Sequence, residues 1–165
     1  MNNGEQQKIF DEWMGKHKGL LFKFVRAYAF NLEDQDDLFQ EIAIQVWRSI
    51  PNFKGDSAVT TWLYRVTMNT SIAWTRKEKR HYDGKESLQG VEHLLKPVGS
   101  GDSRLDWLYE QIAQFNEIDR AITLLMLDGF SYKEMAGILG ISESNVGVKI
   151  NRIKKSLISK SKEVK

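Results

Sequence analysis

Phe39, Ile42, Ala43, Val46, Trp47 and Ile50 recur at intervals of three and four, and Pro51 follows at once. That period lays the apolar groups along one stripe of a three-turn helix, which must be covered by another element. Proline cannot continue the helix, so the stripe has a defined end. Phe10, Trp13, Leu20, Leu21, Phe24 and Tyr28 lie close to the same spacing upstream. Val59, Trp62, Leu63, Val66, Thr70 and Ala73 repeat it downstream, after a turn over residues 52–57. No segment sustains alternation with period two, so the sequence predicts an all-α fold.

The periodicity lapses after Arg80. His81 to Ser103 contains four glycines and a proline, and the run Val98-Gly99-Ser100-Gly101-Asp102-Ser103 reads as loop. It resumes at Leu105, Leu108, Ile112 and Phe115, then at Ile118, Ile122 and Leu125. This predicts two small helical domains, over residues 8–81 and 105–160, joined by a flexible linker over 82–104. A flexible chain of about 23 residues spans roughly 25 Å on average, and about 75 Å when drawn out. Two DNA-binding domains on such a tether reach sites one to two helical turns apart, at roughly 35 Å per turn.

Within the second domain, Ser131 and Glu134 form the serine-x-x-glutamate pattern of a capping box. Met135, Ala136 and Leu139 face inward, Gly140 supplies a tight turn, Ile141 plugs the core and Ser142 caps the next helix. In that helix Val146, Ile150, Ile153 and Leu157 form the core stripe. Ser144, Asn145, Gly147, Val148, Lys149, Asn151 and Arg152 are left on the outer face. Two capped helices around a glycine, the second one basic, form a helix-turn-helix suited to a DNA major groove. The same pair of helices also serves as a plain structural corner. Gly147 is unexpected, because glycine inside a helix costs about 1 kcal/mol relative to alanine. Either its backbone approaches the duplex closely or the position is simply tolerated.

Charge is laid out in blocks although the net is only +2. Glu33, Asp34, Asp36, Asp37 and Glu41 crowd one segment without a base. Four of the five residues from Arg76 to Arg80 are basic, and from Glu143 to Lys165 seven bases face two acids. Such blocks suggest one acidic docking face and two basic ones. In the third helix, aromatic residues interleave with bases (Trp62, Tyr64, Arg65, Trp74, Arg76, Lys77), as single-stranded nucleic acid requires for stacking and phosphate contact. Trp47 and Trp62 also read as core; Phe53 and the loop after it fit that reading less well. No apolar run approaches a membrane span of roughly 20 residues, the start lacks the layout of a signal peptide, and there are no cysteines. The three histidines show no metal-ligand spacing, so neither a metal nor a cofactor is expected. These features fit a cytoplasmic protein.

Taken in order, Asp36-Asp37-Leu38-Phe39-Gln40-Glu41, the Phe53-Lys54-Gly55-Asp56-Ser57 loop, Thr61-Trp62-Leu63-Tyr64-Arg65-Val66 with Asn69, and the helix-turn-helix resemble an extracytoplasmic-function (ECF) sigma factor of bacterial RNA polymerase. The resemblance runs from about Phe10 to Leu157. It implies that Asp36, Asp37, Gln40 and Glu41 dock on core RNA polymerase. It implies that the loop Phe53, Lys54, Gly55, Asp56, Ser57 and Ala58, with Asn69, traps a flipped base of the promoter's minus-ten element. Arg65, Arg76, Lys77 and Arg80 would hold nearby phosphates. The outer face from Ser144 to Arg152 would read the minus-thirty-five element. The partners implied are core polymerase and promoter DNA, with room for an anti-sigma factor. The family often carries arginine or lysine where this chain has Gly147, alanine where it has Ile153, and Leu-Pro where it has Phe115-Asn116.

Two other readings stay open on the residues. An ordinary helix-turn-helix regulator accounts for the last third of the chain but not for the acidic helix and aromatic loop. A metal-dependent nuclease would use Asp34, Asp37 and Glu41, since carboxylates one helical turn apart can hold Mg²⁺; no histidine accompanies them.

Overall fold

Asn2 opens the first helix by accepting a hydrogen bond from the Glu5 backbone N–H, and α1 (Asn3–Tyr28) then runs to Tyr28 with a kink at His17 (φ −118°, ψ 19°). The computed structural model describes residues 1–83 and 101–163. Asn31 caps α2 (Leu32–Ser49) in the same manner, and Pro51 sits in a short 3-10 turn over Ile50–Asn52 that ends it. After the loop comes α3 (Val59–Asp83). The second half contains α4 (Ser103–Ala113), α5 (Glu117–Leu127), α6 (Tyr132–Leu139) and α7 (Glu143–Glu163). Among the described residues there is no strand. The all-α architecture in two helical regions therefore stands.

Helices α1, α2 and α3 pack pairwise. Leu21, Phe24, Leu38, Ile42, Val46, Ile50 and Leu63 are essentially excluded from solvent between them. In the second half α5, α6 and α7 enclose Ile122, Leu125, Met135, Val146, Ile150 and Ile153. Each fully buried aliphatic or aromatic side chain stabilises the fold by roughly 1.5–3 kcal/mol relative to exposure.

The helix ends follow the chemistry of their capping residues. Asp102 accepts from the backbone N–H groups of Arg104 and Leu105 to begin α4. Asn116 accepts from the Asp119 N–H, so asparagine starts α5 where the resembling family uses proline. Residues 103 and 104, at the end of the expected linker, are the first turn of α4. At its other end α3 extends to Asp83. The remainder of the expected flexible linker, residues 84–100, lies outside the described residues, as does the Arg80 side chain.

The two halves are not merely tethered. Helix α1 packs against α4 and α5, and α3 against α5 and α6. Their buried residues join into one hydrophobic cluster. The sequence left this arrangement undetermined, because the contacts unite residues far apart in the chain.

Candidate nucleic-acid interface

The helix-turn-helix is built as its capping residues dictate. The Glu134 N–H donates to Ser131 Oγ at 3.1 Å, and the Ser131 N–H donates to Glu134 Oε1 at 2.9 Å. The Ser131 backbone N–H, first, and the Ser131 hydroxyl, second, hold the Glu134 carboxyl below the ordinary glutamate range. Gly140 closes α6 in the left-handed conformation at φ 71°, a region that penalises any side chain. Ser142 Oγ then accepts from the Asn145 N–H at 3.1 Å, which starts α7.

Val146, Ile150 and Ile153 turn inward from α7, so Ile153, where the family often has alanine, fills core. Ser144, Asn145, Val148, Asn151 and Arg152 are exposed, with Gly147 and Lys149 half-buried beside them. The residues expected to face DNA thus share one side of one helix. A Cβ on Gly147 would lie 3.5 Å from the Tyr132 ring, which is ordinary van der Waals contact. The protein's own packing therefore does not demand glycine there.

Arg152 also makes an internal contact that spacing did not reveal. Its Nη2 donates to Asp119 Oδ2 at 2.7 Å, tying the outer face of α7 to α5. Asp119 is buried. The Asn116-x-x-Asp119 pattern at the start of α5 was the available signal, since it marks a helix entry with a carboxylate held near it.

In the first half, Asp36, Asp37, Gln40 and Glu41 are all exposed on α2. Asp37 Oδ2 accepts from Trp74 Nε1 of α3 at 2.9 Å, which fixes that carboxylate's direction. A groove between α2 and α3 is lined by Asp37, Glu41, Asn69, Trp74 and Lys77. It brings together two expected docking acids and two residues expected at the minus-ten element.

The loop of residues 53–58 divides into two parts. Phe53 is drawn into the core edge, its ring centroid 5.3 Å from that of Trp13 and 5.4 Å from that of Trp62. Phe53 is half-buried there, so its ring packs on the core edge and still borders the loop expected at the minus-ten element. Lys54, Gly55, Asp56 and Ala58 are exposed and Ser57 half-buried, with Gly55 at φ 79° making the turn. Arg76 and Lys77 are exposed on α3 and Arg65 is half-buried. Arg76 Nε reaches Glu117 Oε1 of α5 at 3.0 Å, and Arg65 Nη2 lies 3.5 Å from the Gly137 carbonyl oxygen of α6.

Among the described residues, no group of three or more His, Cys, Asp or Glu side chains could hold a metal ion. Nor is any helix among them long and apolar enough to cross a membrane.

Residues 13–81 match Sigma-70 region 2, and residues 105–157 match Sigma-70 region 4. The RNA polymerase sigma-H factor of Pseudomonas aeruginosa is 25% identical, over 92% of this chain and 85% of its own length. The ECF RNA polymerase sigma-E factor of Escherichia coli is 27% identical, over 93% of this chain and 87% of its own. The fold also resembles that of the sigma factor RpoE of Bartonella quintana, solved in complex with the anti-sigma factor NepR. That likeness has a TM-score of 0.69 at 21% identity, over 90% of this chain and 93% of the other. The chain therefore belongs to the sigma-70 family of bacterial transcription initiation factors, in its extracytoplasmic-function group. Its function is that of a sigma factor, directing RNA polymerase to specific promoters.

Proposed function

We propose that this sigma factor docks on core RNA polymerase through Asp36, Asp37, Gln40 and Glu41, using charge complementarity with a basic partner surface. The minus-ten element is held by the exposed loop residues Lys54, Gly55, Asp56, Ser57 and Ala58, by Asn69, and by Arg65, Arg76, Lys77 and Arg80. Phe53 serves that loop as its anchor, packed between Trp13 and Trp62. Ser144, Asn145, Gly147, Val148, Lys149, Asn151 and Arg152 read the minus-thirty-five element from the major groove. The protein performs no bond chemistry of its own and works in the cytoplasm. Flipping a base out of the duplex costs a few kcal/mol, so a site that holds the flipped base favours the melted promoter. An anti-sigma factor is the third partner, in keeping with the complex described for the Bartonella quintana relative.

The observation that carries this reading is the α2–α3 groove, where exposed docking acids border Asn69 and Lys77 on one surface. Docking and capture of the melted strand can then occur side by side. Transcription in vitro with core polymerase on a promoter library is the test. The protein is expected to redirect start sites to a defined subset and to bind duplex weakly without polymerase. A regulator of the ordinary helix-turn-helix kind would instead bind its duplex site tightly alone, and core enzyme would change nothing.

A further inference from the structure

Of the α7 residues expected to face DNA, Ser144, Asn145, Val148, Asn151 and Arg152 are exposed. At 3.6 residues per turn they span an arc of roughly 120°, with Val148 at its middle. Asn145 and Asn151 stand about 60° to either side of it, and half-buried Gly147 and Lys149 about 100° to either side. The crest of the recognition helix is therefore apolar, although every other exposed member of the arc is polar.

The fold does not account for that valine. It is 66% exposed, so it adds little to the core that Val146, Ile150 and Ile153 enter. Its β-branch also makes it a poorer helix former than alanine or lysine. A single exposed apolar residue is ordinary on a protein surface. Val148 is distinguished by its place, in the first turns of a helix whose N-terminal residues meet base edges. Gly147 beside it presents no side chain, and the exposed Tyr132 ring borders the space above that glycine. One flank of the crest is thus low and free of charge.

The nearby cations are poorly placed for base reading at the crest. Arg152 lies a turn further along and already gives Nη2 to Asp119 at 2.7 Å. Lys149 is half-buried at the edge of the arc. In the major groove guanine is read by arginine or lysine, adenine by asparagine or glutamine, and thymine by apolar contact with its C5-methyl group.

We infer that Val148 is the specificity-determining residue of the minus-thirty-five contact and that it reads the C5-methyl group of a thymine. Asn145 and Asn151 are suited to adenines on either side. The inference rests on the sigma-factor reading of α7 and adds to it the base that the helix selects. Cytosine in the same place lacks the methyl and turns an amino donor toward a side chain that cannot accept.

Selection from a randomised promoter library, with the protein bound to core polymerase, defines the minus-thirty-five element. Each thymine in it, on either strand, is then replaced by deoxyuridine, which differs only by the missing methyl. At one position the change is expected to weaken holoenzyme binding about three- to fivefold, the effect of one buried methyl-sized group. Val148→Ser, at an exposed site, should keep its circular dichroism and bind the thymine and deoxyuridine promoters equally. The coupling between base change and side-chain change isolates the contact from effects on DNA shape. Val148→Thr, which keeps one methyl, should retain part of the preference. A selected element with no uracil-sensitive position overturns the inference, as does a sensitivity that survives intact in Val148→Ser; promoter selection by the holoenzyme still upholds the sigma-factor reading in both cases. A holoenzyme that selects no promoter defeats that reading, and the inference falls with it.

Discussion

Arg152 and Asp119 are joined at 2.7 Å, so a residue on the outer face of the recognition helix also anchors that helix to α5. Arg152 remains 58% exposed while Asp119 is only 9% exposed at the side chain, which makes the pair asymmetric. Loss of the arginine leaves the buried carboxylate with the longer bond from Asn116 Nδ2 at 3.3 Å, while an intact, mostly exposed Arg152 keeps nitrogens available to a phosphate.

Arg152→Ala is therefore expected to lower stability by about 1–2 kcal/mol, the range for a hydrogen bond to a charged group with one exposed partner. It should also reduce the slope of promoter affinity against salt by about one phosphate contact. Denaturant unfolding and salt titration measure the two separately. An unchanged slope with lost stability would take Arg152 off the DNA and leave it purely structural.

Glu41→Lys should weaken core polymerase binding at least tenfold, because it puts a positive charge on an exposed acidic face. The melting temperature should stay within a degree or two, as expected for a surface substitution that removes no buried contact. Equal affinity for core enzyme would remove this residue from the docking surface.

Phe53 and Asn69 should separate cleanly. Phe53→Ala removes a half-buried ring from between Trp13 and Trp62 and is expected to cost about 1–3 kcal/mol, less than a fully buried phenylalanine. Asn69→Ala alters an exposed side chain and should leave stability intact while impairing promoter opening. Permanganate footprinting of melted thymines, read beside thermal unfolding, tells these effects apart.

Gly147→Ala settles a choice that the sequence left open. The new methyl meets only Tyr132 at an ordinary distance, so helix propensity should raise stability by up to about 1 kcal/mol. If promoter affinity falls while stability rises, the backbone at Gly147 approaches the duplex. If affinity holds, the glycine is merely tolerated.

Acid should loosen the start of α6. The Glu134 carboxyl is held below its ordinary value by the Ser131 N–H and hydroxyl. Its contribution is therefore complete above the ordinary carboxylate range and lost as pH falls through the lowered value. Side-chain NMR titration should show Glu134 protonating at lower pH than an unstructured glutamate. Glu134→Gln, which keeps the box geometry, should remove that pH dependence.

Much of this molecule was written locally. A period of 3.6, a proline at residue 51 and capping residues at 131 and 142 act within a few positions, so the helices and the turn at Gly140 followed from the sequence. The exposed acids of α2 and the outer face of α7 followed likewise, because a helix with one buried stripe has its other side in water. Phe53 did not, since only the approach of Trp13 from another helix shows where its ring goes. The buried partner of Arg152 and the closure of the two halves were equally out of reach. Arg26 and Asp106 are 80 positions apart in sequence, and Lys23 and Asp128 are 105 apart. Periodicity says that a face must be covered; only the packed chain decides which face covers it, because ion pairs and ring contacts depend on distances that no local pattern encodes.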